Sequence, residues 1–208
     1  MRISELSRRT GVPVATIKFY LREGLLPAGT PTGRNQAQYD EFHERRLLFI
    51  RALTGIGELE LSTVSGLLSA IEQRNSLPAL YRAANRAAQP HLDTTKTVND
   101  VVPERTDVDR FIADLGWQVN ADVPGRERLA QVLASLRELG CGFGVDFFRP
   151  YAELAEGFAA QQLSMIPEEG QVDGAAAVAR AVLLDVAIAA LCGMAQEHLV
   201  AKRFGKSN

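Results

Sequence analysis

The side chains best suited to contact a nucleic acid lie within one short basic stretch near the start of the chain, at Thr16, Lys18, Tyr20 and Arg22. Thr16 and Lys18 stand near the beginning of a predicted helix, where side chains can reach base edges in the major groove. Tyr20 and Arg22 are better placed for contacts to sugar and phosphate. This combination of donors and cations predicts a recognition surface for double-stranded DNA.

Two short helices are predicted to position this surface. Ile17 and Leu21 give the second helix an apolar side, and Gly24 is predicted to end it. Ser4 is the expected cap of the first helix, and the Gly-Val-Pro corner at 11–13 turns the chain sharply between the two. A basic second helix that packs on a first one is the arrangement of a helix-turn-helix.

The stretch that follows, from Leu25 to Gln38, is rich in proline and glycine and is predicted to form a loop or a short two-stranded wing. Its polar residues Arg34, Asn35 and Gln36 are donors suited to phosphates or to the minor groove. The wing is therefore a second candidate surface for DNA contact.

A third helix is predicted over residues 39–56, with Asp40 as its N-cap. Tyr39 and Arg46 are further candidates for DNA contact on this helix. Arg46 could touch a phosphate or merely balance neighbouring carboxylates, because charges on a helix usually form a solvated face. A fourth helix, capped by Ser62, is expected to close the small core.

Residues 1 to about 72 resemble the DNA-binding domain of the MerR family of bacterial transcription regulators. The matching parts occur in the family's order: Ile3-Ser4-Glu5-Leu6, Thr10-Gly11-Val12, Thr16-Ile17-Lys18-Phe19-Tyr20, Glu23-Gly24-Leu25-Leu26-Pro27, Tyr39-Asp40 and the run from Arg46 to Leu53. The resemblance implies a homodimer on an inverted-repeat operator, and relatives often activate RNA polymerase by bending an over-long promoter spacer. Most members have a Tyr-Arg pair at the wing's end, whereas this chain has Gln36 and Ala37, which moves the expected basic contact to Arg34.

The distribution of charge agrees with a DNA-binding start of the chain. Residues 1–51 hold nine Arg and Lys against five Asp and Glu, a net charge of +4, whereas residues 52–208 hold fourteen against twenty, a net of −6. Phosphate contacts are the electrostatic part of DNA binding, so the positive charge lies where the helix-turn-helix needs it. The acidic remainder is not expected to lie along the duplex.

The sequence argues against several other classes of protein. Cys141 and Cys192 have no Cys-x-x-Cys or His-rich neighbourhood, which argues against a disulfide framework and a metal site. The three histidines form no catalytic motif, and we expect neither an enzyme nor a cofactor. The chain has no signal peptide pattern, and the apolar tract from Ala175 to Ala195 is interrupted by Arg180 and Asp185. We read that tract as a buried helix and not a membrane span, and expect a cytoplasmic protein.

The predicted fold is mostly all-α and divides into three parts: a DNA-binding domain at 1–74, a linker helix and polar connection at 75–107, and a helical effector-binding and dimerisation domain at 108–208. Helices are expected near 77–88, 108–117, 126–139, 146–165 and 174–204. The last domain resembles TetR-type effector domains in composition and rhythm only. The alanine-rich helix 175–190 is favoured as part of the dimer interface.

Aromatic residues in the last domain suggest two alternative functions for it. They surround the glycine-rich turn at 139–144 and are Trp117, Phe143, Phe147, Phe148, Tyr151 and Phe158. They could line an apolar pocket for a small organic effector, or simply form core. The alternative function is a DNA-tethered protein-interaction module without a pocket. An enclosed cavity would favour the effector, and a large exposed apolar face would favour the module.

Overall fold

The computed structural model describes residues 1–33, 36–88, 102–167 and 173–204, which form two compact units. The first unit comprises Met1–Ala88 together with Gln171–Asn208, and the second comprises Gln89–Gly170. In the described part of the chain the only sheet has two strands, so the mostly all-α prediction is confirmed.

The first unit contains the predicted helix-turn-helix and wing, followed by three helices and joined by the last helix of the chain. Its elements are α1 (Ile3–Thr10), α2 (Val14–Arg22), β1 (Thr30–Gly33), β2 (Gln36–Gln38), α3 (Glu41–Gly55), α4 (Leu61–Glu72), α5 (Leu77–Ala88) and, from the end of the chain, α9 (Gly174–Phe204). The strands β1 and β2 are antiparallel and form the wing that the sequence predicted.

Two predicted helix caps were wrong. The residue that precedes α1 is Arg2, and the residue that precedes α4 is Glu60, and neither side chain caps its helix. Ser4 and Ser62 lie one residue inside their helices, where a hydroxyl can no longer occupy the cap position. By contrast, Asp40 caps α3 as predicted, because its side chain accepts a hydrogen bond from the backbone of His43.

The core of the first unit consists of two clusters that meet at α2. The smaller cluster, which we call the turn core, holds Leu6, Val12, Ile17, Leu26, Tyr39 and Leu47. The larger one, which we call the helical core, is built from α3, α4, α5 and α9 and holds Leu25, Phe49, Ile50, Leu53, Val64, Leu67, Leu68, Leu80, Ala84, Val178, Ala181 and Val182. Tyr20 of α2 packs against both clusters, so α2 is supported by the turn core and by the helical core.

The last helix belongs to this first unit and not, as the sequence grouped it, with residues 108–170. Val178 and Val182 of α9 are almost fully buried in the helical core, against α3, α4 and α5. A Cβ on Gly57 would lie 2.9 Å from Val182 Cγ1, so α9 approaches the end of α3 closely. Only the first part of α9 is buried, because its residues from Asp185 to Phe204 are nearly all exposed. The expectation of a buried helix therefore holds for its first part alone.

The second unit packs three helices and one short 3-10 turn. Its elements are α6 (Val102–Asp114), α7 (Pro124–Glu138), the 3-10 turn (Val145–Phe148) and α8 (Arg149–Ser164). Its core contains Val108, Phe111, Ile112, Ala130 and Ala152. The helix α6 begins six residues earlier than predicted because Pro103 lies in its first turn, where proline costs no hydrogen bond.

Ion pairs hold α6 against α7 along their length. Arg105 Nη1 lies 2.9 Å from Glu127 Oε2, and Arg126 Nη1 lies 2.6 Å from Asp109 Oδ1. At the other end Arg137 donates to Glu104 and Asp107, which raises the pKa of its guanidinium.

Candidate nucleic-acid interface

The corner between α1 and α2 is fixed by a glycine and by an arginine from α3. Gly11 follows α1 with a φ of 68°, in the left-handed region that favours glycine. Arg51 Nη1 donates to the carbonyl oxygen of Thr10 at 2.7 Å, and a Cβ on Gly11 would lie only 2.6 Å from that same nitrogen. The Thr10 hydroxyl donates to the Leu6 carbonyl oxygen at 2.8 Å. The angle between the two helices is therefore set by side chains as well as by the turn.

The helix α2 presents a polar face to solvent and an apolar face to the core. Ile17 is fully buried, whereas Lys18 and Arg22 are exposed and Thr16 is half-buried. The Arg22 guanidinium lies 5.3 Å from the ring of Phe19 and 3.1 Å from Glu23 Oε1. Of the four predicted contact residues on α2, three are therefore accessible to solvent: Thr16, Lys18 and Arg22.

Tyr20, the fourth predicted contact residue on α2, is placed differently. It is partly buried between the turn core and the helical core, and desolvation raises the pKa of its hydroxyl. Its ring supports α2 from behind, so its main role in this structure is packing.

The wing is attached to the start of the chain through Tyr39. Tyr39 N donates to the Met1 carbonyl oxygen at 2.8 Å, and the Met1 amine donates to the Tyr39 carbonyl oxygen at 2.6 Å. The Tyr39 ring is only 8% exposed and meets His43 edge-on, with centroids 5.1 Å apart. A Cβ on Gly29 would lie 2.5 Å from the Gln38 carbonyl oxygen, so the wing needs glycine there. Tyr39 is thus a core residue, which argues against the predicted DNA contact by its side chain.

A groove of about 550 Å³ runs between α2 and the wing. It is lined by Arg2, Ile3, Lys18, Leu21, Pro31, Gly33, Gln36, Ala37 and Tyr39. Arg2 and Lys18 are exposed and form no ion pair with any residue that the structure describes. Two cations that have no ion pair within the described ranges and the exposed amide of Gln36 therefore face one concave surface. Sequence reasoning missed Arg2, and the available signal was a basic residue directly before the first helix.

The predicted wing contacts Arg34 and Asn35 lie outside the described residues. Their neighbours in the hairpin are described: Thr30 pairs with Gln38, Pro31 with Ala37 and, after a register shift, Gly33 with Gln36. Gln36 therefore sits at the last described pair of the wing, on the groove.

Arg46 is buried and bonded within the first unit, which argues against its predicted contact with DNA. Only 8% of its side chain is exposed. Its Nε donates to the Leu25 carbonyl oxygen at 2.5 Å, and its Nη1 lies 2.5 Å from Glu72 Oε1. These bonds connect α3 to the segment after α2 and to the end of α4. Arg46 therefore holds the recognition helix in place from behind.

The start of α3 carries a capping box between Asp40 and His43. His43 N donates to Asp40 Oδ1 at 3.3 Å, and His43 Nδ1 lies 2.6 Å from the same oxygen. The hydrogen bonds from His43 lower the pKa of the Asp40 carboxyl. The histidine is buried beside Tyr39, so this box orients the junction of wing and helix.

In the second unit the structure brings four of the six predicted pocket aromatics together. Phe143 and Phe147 are stacked with centroids 4.2 Å apart, and Phe147 lies 5.8 Å from both Phe148 and Tyr151. These rings adjoin an open groove of about 450 Å³ lined by Asp146, Phe147, Pro150, Tyr151 and Leu154. Phe147 is 41% and Tyr151 59% exposed, so the described aromatic cluster forms an open shelf at the surface.

The other two predicted aromatics stand apart from this shelf. Trp117 packs against the core of the second unit, and its Nε1 donates to Glu156 Oε2 at 3.3 Å. Phe158 lies further along α8, with no aromatic ring within stacking distance among the described residues.

No group of three or more His, Cys, Asp or Glu side chains in the described part of the chain is arranged to hold a metal ion. Cys141 is half-buried in the second unit, and Cys192 is exposed on α9.

Comparisons with known proteins match both the first unit and the whole chain. A family-wide sequence profile, described as MerR HTH family regulatory protein, matches residues 1–71. The chain is 31% identical over 97 residues to the HTH-type transcriptional regulator ZntR homolog of Haemophilus influenzae (strain ATCC 51907 / DSM 11121 / KW20 / Rd), covering 47% of this chain and 69% of that protein. Its structure is similar to the crystal structure of SCO5550 from Streptomyces coelicolor A3(2), a protein assigned as a transcriptional regulator. The TM-score is 0.74 at 33% identity, with 100% of both chains covered.

Proposed function

The chain belongs to the MerR family of helix-turn-helix transcriptional regulators, and on that basis we propose that it acts in the cytoplasm as a homodimer that binds an inverted-repeat operator in double-stranded DNA. The observation that carries the proposal is the groove between α2 and the wing, which Arg2 and Lys18 face; both are exposed and have no ion-pair partner among the described residues. Cations without a protein partner are available to phosphates, which supply most of the electrostatic free energy of DNA binding.

Within this proposal the polar residues of α2 have distinct roles. Thr16 and Lys18 are the third and fifth of the nine residues of α2 and enter the major groove, where a lysine can donate to guanine. Arg22, Arg2 and Gln36 contact the sugar-phosphate backbone, which fixes register without reading sequence. The wing tip, with Arg34 and Asn35, contacts the backbone or the minor groove beside them.

RNA polymerase is the proposed partner at the promoter. Two DNA-binding units held in a dimer bend and twist the spacer between the promoter elements, so that the polymerase engages both. The free energy of deforming DNA then contributes to specificity at bases that the protein does not touch.

A small organic effector is the proposed signal, and the aromatic shelf of the second unit is its proposed site. Phe143, Phe147 and Tyr151 offer stacked and exposed ring surfaces to a planar or lipophilic molecule. The shelf is open, and this openness favours a second candidate function, a DNA-tethered module whose apolar face recruits a protein partner.

The experiment is a selection from random-sequence DNA with the full chain, run in parallel with Lys18→Ala and Arg45→Ala. Arg45 is an exposed cation on α3 that pairs with Glu41 at 3.4 Å, so it serves as the matched control. We expect the wild type and Arg45→Ala to enrich a two-fold symmetric site, and Lys18→Ala to lose affinity and to relax specificity at the base pair that Lys18 contacts. Equal enrichment by all three proteins would contradict the assignment of Lys18.

The effector is tested separately by thermal-shift screening with lipophilic cations, antibiotics and acyl compounds. A compound that stabilises the wild type but not Phe147→Ala supports the shelf as its site. Silence across the panel would favour the interaction module.

A further inference from the structure

Arg51 on α3 differs from the other arginines that the structure describes between Ile3 and Gly55, because no carboxylate pairs with it. Five of those arginines form ion pairs with glutamates of the first unit: Arg8, Arg9, Arg22, Arg45 and Arg46. Arg51 is exposed, and its one hydrogen bond to a described residue goes to the carbonyl oxygen of Thr10. A carbonyl does not neutralise a cation, so the charge of Arg51 is available to an external anion.

The bond to Thr10 occupies only one side of the Arg51 guanidinium. A guanidinium carries five N–H donors in a fixed planar fork, and Nη1 is the nitrogen that donates to Thr10, at 2.7 Å. Nε and Nη2 form the opposite edge, and neither has a hydrogen-bond partner in the described ranges of the chain. That edge presents two parallel N–H groups, the arrangement that binds a carboxylate or a phosphate with two hydrogen bonds.

Arg9, at the same end of α1, shows what this edge binds when an oxyanion reaches it. Its Nε donates to Glu44 Oε1 at 2.9 Å, and its Nη2 lies 2.8 Å from Glu44 Oε2. The two nitrogens therefore hold both oxygens of one carboxylate. The equivalent edge of Arg51 is suited to the same contact with an oxyanion from another molecule.

The Arg51 guanidinium is already held beside the start of the proposed recognition helix. A Cβ on Gly11 would lie 2.6 Å from Nη1 and 3.5 Å from Cζ, so the guanidinium lies against the corner where that residue has no side chain. The helix α2 begins at Val14, three residues further along the chain. Because the bond to Thr10 fixes the fork in advance, little side-chain entropy is lost when a second partner binds.

We propose that the Nε and Nη2 edge of Arg51 binds a phosphate of the DNA backbone beside the major groove that α2 enters. The inference rests on the proposed function, since only a duplex that receives α2 brings a phosphate to this corner. The same guanidinium then bonds the phosphate and the last carbonyl of α1. The backbone contact thereby fixes the position of the α1–α2 corner on the duplex, which sets register without reading sequence.

A carboxylate of a partner protein is the competing anion, because it also presents two oxygens to the fork. The surroundings favour the phosphate. The corner adjoins α2, and residues 1–51 carry a net charge of +4, which attracts a polyanion such as DNA.

The test is the salt dependence of binding by the full chain to a fluorescein-labelled 24-base-pair duplex of random sequence, read by anisotropy. A phosphate contact is made on every sequence, so no operator is needed. Arg51→Met should weaken binding and lower the slope of log affinity against log salt by about 0.9 for each protomer engaged. Its loss of affinity relative to the wild type should then be about 3.5-fold larger in 50 mM than in 200 mM KCl, for each protomer.

Two further variants separate the charge of Arg51 from its position. Arg51→Lys keeps the cation and should keep the slope of the wild type. Arg45→Met is the matched control, because it removes one exposed cation from the same helix, where Arg45 is paired with Glu41. It should leave the slope unchanged. An Arg51→Met protein that is folded by circular dichroism and has the slope of the wild type would overturn the inference, whether or not its affinity falls.

A measurement on the wild type covers the case in which Arg51→Met does not fold. Phenylglyoxal modifies exposed arginines, and the modified positions are mapped by mass spectrometry. Saturating duplex should prevent modification of Arg51 and leave that of Arg45 unchanged. Equal modification of Arg51 with and without DNA would overturn the phosphate contact and leave the carboxylate of a partner protein as the anion.

The outcomes also separate this inference from the proposed function. A wild type that binds no duplex in 50 mM KCl and enriches no site would refute both. A wild type that enriches a two-fold symmetric site, while Arg51→Met keeps the salt dependence of the wild type, would refute the role of Arg51 alone.

Discussion

Replacing Arg46 by methionine separates a structural arginine from one that contacts DNA. Methionine keeps most of the unbranched apolar stem and removes every donor, so the Leu25 carbonyl oxygen and Glu72 both lose their partner. Leu25 is 4% exposed, and leaving a buried acceptor unsatisfied costs about 1 to 3 kcal/mol. Glu72 is 53% exposed, so losing that ion pair adds only about 0 to 1 kcal/mol. We therefore expect the free energy of unfolding of the first unit to fall by about 1 to 4 kcal/mol.

The assay must report on the first unit, and the single tryptophan lies in the second. Hydrogen exchange of the α3 amides around Leu47 and Ile50 reports the opening of the first unit, because both side chains are fully buried in its core. Arg45→Met is the matched control, since Arg45 is the exposed neighbour, and it should change stability by no more than about 0.5 kcal/mol. Under conditions where Arg46→Met stays folded, the salt dependence of its DNA binding should equal that of the wild type. Unchanged hydrogen exchange together with a salt slope lower by about one would refute the structural role and make Arg46 a phosphate contact.

Two further predictions concern the corner and the start of α3. Gly11→Ala should destabilise the protein by about 1 to 2 kcal/mol through its left-handed backbone, and more by displacing Arg51 from the Thr10 carbonyl. Gly24→Ala, at a φ of 72° with open space around its Cβ, should show the backbone cost alone in a thermal-shift comparison, and equal losses would contradict the Arg51 contact. The lowered pKa of Asp40 means that its stabilisation is present above its ordinary pKa of 3.8 and is lost as the pH falls through the lower folded value. Asp40→Asn should therefore flatten the loss of stability in acid, measured by circular dichroism below pH 4; an unchanged acid limb would argue against the capping box.

The sequence predicted those parts of the fold that depend on local patterns. The helix-turn-helix, the wing and the span of α9 follow from turn residues and apolar spacing within a few residues of one another, and the structure has all three. The predictions of the N-caps of α1 and α4 were wrong because Arg2 and Glu60 have the extended backbone of a cap residue but no capping side chain. Residue type alone favoured the serines that follow.

The parts that the sequence missed depend on contacts between residues far apart in the chain. Arg46 could not be recognised as buried, because its partners Leu25 and Glu72 lie 21 and 26 residues away. The packing of Val178 and Val182 against α3, α4 and α5 likewise becomes apparent only in the folded structure. From sequence alone, α9 was therefore grouped with the residues that precede it in the chain. Arg2 was overlooked because its role depends on the wing that lies across the groove from it. In each case the sequence shows the type of side chain but not the residues that surround it in the folded protein.

The return of the chain to its first unit has a consequence for biosynthesis. The helical core stays incomplete until Val178 and Val182 have been synthesised, although α3, α4 and α5 are finished by residue 88. At about 5 to 20 residues per second, the ribosome needs roughly 5 to 19 s to cover the intervening stretch. During that interval the faces of Leu53, Leu67 and Leu80 that α9 will cover are open to solvent or to chaperones. The residues proposed to contact DNA are synthesised early, whereas the core that supports them is completed late.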